Sequence, residues 1–293
     1  MSPALAVAVL AERAGSPLRE VIPSTMGEPL LWAGLDGLVD RCAAHGVRLN
    51  LTTNGTFPGR GARAWAERLV PVLSDVKVSV NGATEGTAAA IMAGVRLSEV
   101  VEDVRTLVAV RDRHAAATGR RATVSFQVTA QEANVAELAA IVRLAASLGV
   151  DRVKLNQLQV RRPDLADRSL RRSPEAIARW NAAAAEARVA AAETPRAGGG
   201  RVALENAAPL ALDPAAPAPL GPCPFLGREA WIHPDGRFAP CPSPRAAELG
   251  DLGSVADAPL GALWRSDAFT RLVAEWPERA PCRACTFRRP GGA

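Results

Sequence analysis

The sequence predicts an α/β fold, a parallel sheet of βα repeats over about two thirds of the chain, followed by a small cysteine-rich α+β domain with a β-hairpin. Three observations predict it. Short Val- and Leu-rich runs alternate with longer stretches of helical periodicity up to residue 195, as a sheet covered by helices requires. The sequence then turns to Gly, Pro and Ala over residues 196–222, a linker composition. Four of the five cysteines lie beyond that stretch. A chain of 293 residues, 48% of them hydrophobic, can bury a sizeable core, which excludes a peptide, a minimal module and wholesale disorder.

In chain order, residues 1–20 read as one helix leading into the first strand at 20–24. Further strands are expected at 47–52, 75–80, 123–129 and 152–158, with a short one at 201–204 inside the linker. The helix after Leu31 carries Leu35, Leu38, Val39 and Cys42 on one face and stops at Gly46, so Cys42 is a core thiol. Asn134 and Glu137 have capping-box spacing before the helix that carries Leu138, Ile141, Val142 and Ala145. Ser173-Pro174 opens a helix that runs to Thr194. Beyond the linker, 228–233 and 237–240 flank the turn triplet Pro234-Asp235-Gly236, a hairpin, and one helix is expected from Leu260 to about Glu275.

Charge narrows the function classes. The net charge is +5, and of 35 Lys and Arg only Lys77 and Lys154 are lysines. Arg161, Arg162, Arg168, Arg171 and Arg172 cluster, but Asp164 and Asp167 interleave with them and no aromatic does. That is a solvated loop, and no nucleic-acid partner is expected. No apolar run reaches the roughly 18 residues of a membrane span, and the first residues lack a signal-peptide pattern. The expectation is a cytoplasmic protein with no membrane contact.

Four motifs carry chemistry. Cys223, Cys241, Cys282 and Cys285 supply soft ligands, the last two at chelating Cys-x-x-Cys spacing. Four thiolates suit zinc or an iron–sulfur cluster, and spacing alone does not separate the two. Pro23-Ser24-Thr25-Met26-Gly27-Glu28-Pro29 leaves the first strand at its carboxyl end, where parallel βα folds bind ligands. There Gly27 allows close backbone approach and Glu28 is placed to accept from a ligand ammonium. Thr52-Thr53-Asn54-Gly55 and Ser79-Val80-Asn81-Gly82 are polar, glycine-bearing ends of the next two strands. Alternation puts Lys77, Ser79 and Asn81 on one face of their strand and valines on the other, and Lys77 is expected to point to the interior.

In this order, the GEPLL loop, the TNGT and SVNGAT strand ends and the tail Cys-Pro-Phe-Leu…Gly-Arg-Phe-Ala-Pro-Cys…Cys-Arg-Ala-Cys resemble radical S-adenosylmethionine enzymes with a C-terminal SPASM or shortened SPASM-like domain. The resemblance spans nearly the whole chain. It implies a partial (β/α)6 TIM-like barrel lacking its first strand over residues 1–195, a linker at 196–222 and an iron–sulfur domain at 223–293. It implies that Gly27 and Glu28 hold the amino group of S-adenosylmethionine, that Ser79 and Asn81 face its ribose and carboxylate, and that Thr53 and Asn54 line the same cavity. Asn81 stands where the family usually has aspartate. Cys223, Cys241, Cys282 and Cys285 would bind one auxiliary [4Fe-4S] cluster. Implied partners are a peptide or protein substrate and an electron-donor protein.

The family's CxxxCxxC loop does not occur, since residues 1–41 contain no cysteine. The expectation is therefore a chain shortened at its N-terminus, one that binds S-adenosylmethionine less well and does not cleave it reductively. Two rivals stand beside this reading. One is a non-catalytic four-cysteine zinc or cluster-binding protein derived from the same barrel. The other is a TIM-barrel enzyme using acid–base chemistry, which His45, His114 and His233, unpaired at metal spacing, do little to support.

Overall fold

The computed structural model describes Val9 and residues 18–23, 27–160, 162–213, 221–283, 285, 287 and 288. The helix expected over 1–20 lies largely outside these residues; within them Val9 is helical and Leu18 and Arg19 are not. The chain forms two compact units, one of Arg19–Trp32 and Cys42–Pro214, the other of Met1–Leu18, Ala33–Arg41 and Ala215–Ala293.

The first unit is built on six strands, β1 (Glu20–Val21), β2 (Arg48–Thr53), β3 (Leu73–Ser79), β4 (Thr123–Ala130), β5 (Arg152–Gln157) and β6 (Ala203–Glu205). They form one parallel sheet in chain order. Sequential order without reversal is the arrangement of a barrel wall, not of a doubly wound sheet. The helices between them include α1 (Leu35–His45), α2 (Gly61–Leu69), α3 (Glu85–Ile91), α4 (Leu97–Thr118), α5 (Leu138–Ser147) and α6 (Pro174–Glu193).

Side-chain alternation gives the sheet two unlike faces. Leu49, Leu51, Val76, Val78, Val124, Phe126, Val128, Val153 and Leu155 are all buried, each contributing about 1.5–3 kcal/mol. The intervening positions are Asn50, Thr52, Lys77, Ser79, Ser125, Gln127, Lys154 and Asn156, all but Ser125 partly exposed. The polar face expected for β3 alone thus continues across β2, β4 and β5. Lys77 stands on it, 13% exposed, bonded to Asn50 Oδ1 and 3.7 Å from Asp75. Burial lowers the Lys77 pKa against the attraction of Asp75.

Two local expectations change. Asn134 makes no helix cap: its Oδ1 accepts from Gln131 N (2.9 Å) and its Nδ2 donates to Asn81 O (2.9 Å) and Thr129 O (3.1 Å). Glu137 reaches instead to the loop after β3. The capping box fails because both side chains have better partners across the sheet end than along their own helix. The Ser173 cap does form, with Oγ accepting from Ala176 N (3.2 Å). On the same helix Trp180 is fully buried and donates to Ala208 O (3.1 Å), and Asn181 exchanges two bonds with Leu210.

The second unit carries β7 (Trp231–Ile232) and β8 (Phe238–Ala239), an antiparallel hairpin. Gly236, at φ 92°, completes its turn. The helix expected from Leu260 to Glu275 is two, α7 (Leu260–Trp264) and α8 (Asp267–Glu275). Ser266 breaks it by leaving the helical conformation and accepting from Phe269 N (3.2 Å) as an N-cap. Phe238, Leu252, Phe269 and Leu272 form this unit's core.

Candidate functional site

The first cluster lies at the carboxyl ends of β1–β4, within the sheet unit. Ser24, Thr25 and Met26 fall outside the described residues. Gly27 adopts φ 81°, a left-handed turn that suits glycine. Glu28 then caps a short turn, its Oε1 accepting from Leu30 N (3.1 Å) and Thr53 Oγ1 (2.9 Å) and its Oε2 from Asn54 N (2.7 Å). The carboxylate expected to meet a ligand ammonium thus already accepts three protein hydrogen bonds, and it ties the Gly27–Glu28 loop to the end of β2. Thr53 is buried, and Asn54 folds back on Thr56 N (2.9 Å) and Oγ1 (2.8 Å).

The end of β3 is held from the other side. Asn81 is buried, and its Oδ1 accepts from Thr129 N (2.7 Å). Ser79 pairs in register with Gln127. A Cβ on Gly82 would lie 2.6 Å from Ala88 N, so only glycine lets the chain pass the start of α3. Glu137 accepts from Ala83 N (2.6 Å), Thr84 Oγ1 (3.0 Å) and Thr87 Oγ1 (2.6 Å). Burial opposes its ionisation, but these donors hold Glu137 below the usual carboxylate range. Asn134 and Glu137 are site-shaping residues that sequence reasoning took for a cap. A fourth polar strand end, Thr129-Ala130-Gln131, was the signal available.

The second cluster lies within the tail unit. Cys223, Cys241, Cys282 and Cys285 line one pocket with Phe225, Trp276, Arg245 and Arg288. All four cysteines are free thiols and half-buried. Cys223 leaves the linker just ahead of a turn whose Leu226 N–H donates to its Sγ at 3.4 Å. Cys241 follows β8, and Cys282 sits in a short helix, α9 (Ala280–Arg283). Burial pushes the Cys282 thiol up to about 11, with Cys223, Cys241 and Cys285 adding to the shift and Arg288 opposing it. Cys241 is raised by burial too, and by Cys223 and Cys285. Cys241 and Cys282, whose proton affinity burial and the neighbouring thiols raise, belong to a donor set that a positive centre would complete.

The residues fit an iron–sulfur cluster. Four thiol donors on one pocket are the chemistry such a cluster needs, and the same donors suit a single zinc ion. Cys42, by contrast, is wholly buried in the core, its thiol pushed up to about 11 by burial, as its place on the apolar face of α1 predicts.

Comparisons with known proteins bear on the tail and on the fold. Residues 223–286 match the SPASM family, an iron–sulfur cluster-binding domain. No curated protein sequence matches the chain significantly. Among solved structures, Streptococcus suis SuiB bound to precursor peptide SuiA aligns with a TM-score of 0.65 at 13% identity, covering 100% of this chain and 65% of that one. SuiB bound to S-adenosylmethionine aligns at 0.62 and 16% identity, over 100% and 66%. Native anSMEcpe with bound AdoMet and Kp18Cys peptide aligns at 0.59 and 14% identity, over 96% and 78%. The chain thus spans just under two thirds of the length of SuiB.

Proposed function

We propose that this chain, which has the fold of the radical S-adenosylmethionine enzymes with a C-terminal SPASM domain, acts on a peptide or protein substrate. In this reading Cys223, Cys241, Cys282 and Cys285 hold one [4Fe-4S] cluster, served by an electron-donor protein. The observation that carries it is the gathering of all four tail cysteines on one pocket, inside the span that matches an iron–sulfur family. The peptides bound to SuiB and anSMEcpe support the substrate class.

A CxxxCxxC cluster, where one completes the fold, supplies the electron that splits S-adenosylmethionine into methionine and a 5′-deoxyadenosyl radical. These 293 residues contain no such motif. What they contribute is placement. Glu28 and Thr53 fix the Gly27 loop against β2, so that the loop backbone presents itself to the amino group. Glu137 and Asn134 fix the end of β3, leaving Ser79 on the polar face for the ribose. No helix among the described residues is long and apolar enough to cross a membrane, and the reading places the activity in the cytoplasm.

Calorimetric titration with S-adenosylmethionine tests the ligand assignment. Ser79 is half-buried on the polar face, so Ser79→Ala leaves the fold intact and weakens binding several-fold by removing one hydrogen bond of about 1 kcal/mol. Absence of binding in the wild type, or equal affinity in the variant, contradicts the assignment.

A further inference from the structure

We infer that Arg288 sets the reduction potential of the cluster held by the tail cysteines, an inference that rests on the reading of Cys223, Cys241, Cys282 and Cys285 as iron–sulfur ligands. Two arginines line the cysteine pocket, and they are electrically unlike. Arg245 is neutralised, its Nε and Nη2 each 2.7 Å from a carboxylate oxygen of Glu248. Arg288 is held by neutral groups. Its Nε donates to the Gly221 carbonyl at 2.6 Å, and its guanidinium stacks on the Trp276 ring at 5.0 Å. Among the described residues no carboxylate pairs with it. Both clamps fix the position of the charge without cancelling it.

That placement bears on electron transfer. A cluster bound by four thiolates is anionic, and its one-electron reduction adds charge without making or breaking a bond. A fixed, half-buried cation at the pocket wall stabilises the reduced form more than the oxidised one, because the field is weakly screened there. Net charge around the sulfurs is among the determinants of cluster potential. The pocket's aromatic lining, Phe225, Trp276 and Phe287, keeps the local dielectric low. Arg288 lies three residues beyond Cys285, on the chain segment that carries the last ligand, so its position moves with the ligand set.

The test is a mediated potentiometric titration of the anaerobically reconstituted protein, dithionite supplying the electron, with iron and sulfide measured first on each sample. Arg288→Gln should shift the midpoint to a more negative potential, and Arg288→Lys should stay close to wild type because it keeps the charge. A Gln variant that titrates with the wild type, or a Lys variant that falls with Gln, overturns the inference. Failure of Gln alone to load a cluster overturns it, since the residue's task would then be to assemble the centre and not to set its potential. Failure of Lys, alone or with Gln, overturns it, because the clamp to Gly221 would then be the residue's task. A wild type without iron and sulfide instead overturns the cluster reading itself, and the inference with it. A loaded cluster indifferent to charge removal overturns the inference only.

Discussion

Glu28 and Gly82 show how much of the strand-end cluster depends on single residues. Glu28 accepts from Leu30 N, Thr53 Oγ1 and Asn54 N, whereas a glutamine has one acceptor oxygen and an amide that faces those donors. Glu28→Gln should therefore destabilise the sheet unit by about 1.5–3 kcal/mol, the range for bonds to a charged group, read by urea unfolding followed by far-UV circular dichroism. Gly82→Ala drives a methyl to 2.6 Å from backbone that cannot swing aside. It should cost about 1–3 kcal/mol as overpacking, and an unchanged unfolding midpoint would show that the loop relaxes freely. The sequence displayed Gly27, Glu28, Thr53, Asn54, Ser79 and Asn81 as polar strand ends. The roles of Asn134 and Glu137 were not legible, because their spacing is that of a cap and only the neighbouring strand ends, distant in sequence, reveal the competing partners.

At the scale of elements, the amino ends of β4 and β5 are joined by a clasp opposite the polar strand ends. The Asp151 carboxylate accepts from Val124 N (2.9 Å), Arg121 (2.7 Å) and Arg196 (3.0 Å) and pairs with Arg111, a side chain 1% exposed. Burial alone would raise the Asp151 pKa, but these partners hold it below the ordinary carboxylate value. Asp151→Asn removes the carboxylate that Arg111, Arg121 and Arg196 share, while Asp112 still pairs with Arg111 and Arg121, and should cost about 1.5–3 kcal/mol. In the wild type this stabilisation is complete above an unfolded-state pKa of about 3.9 and fades as pH falls through the lower folded value. The variant should accordingly show a flatter loss of stability in acid, and parallel acid curves for the two proteins would contradict the assignment. All six strands of the sheet were legible, β2–β5 directly from their buried Val and Leu runs and the short, little-buried β1 and β6 from their place in the βα alternation. It missed the break between α7 and α8, since Ser266 keeps the helical period of its neighbours while its hydroxyl takes a backbone N–H.

For the whole molecule, the tail unit is the part whose stability is expected to depend on something besides packing. Its core of Phe238, Leu252, Phe269 and Leu272 is small, and domains of this size usually draw on metals or disulfides for stability. Cys282→Ala or Cys285→Ala should lose the bound metal and expose the segment from Cys223 onward to proteolysis, while the β1–β6 unit keeps its unfolding midpoint. Global unfolding of both units in either variant would contradict independent stabilisation. Four thiol donors were legible from composition, and their gathering on one pocket from the family resemblance alone, because 17 and 40 residues separate the first three. Iron, zinc and acid-labile sulfide per chain, measured after anaerobic purification and reconstitution, test directly that this pocket holds an iron–sulfur cluster. About four irons with matching sulfide and broad absorption near 400 nm are expected, as a thiolate-bound [4Fe-4S] centre gives. One zinc per chain, with no sulfide and no colour, would contradict it.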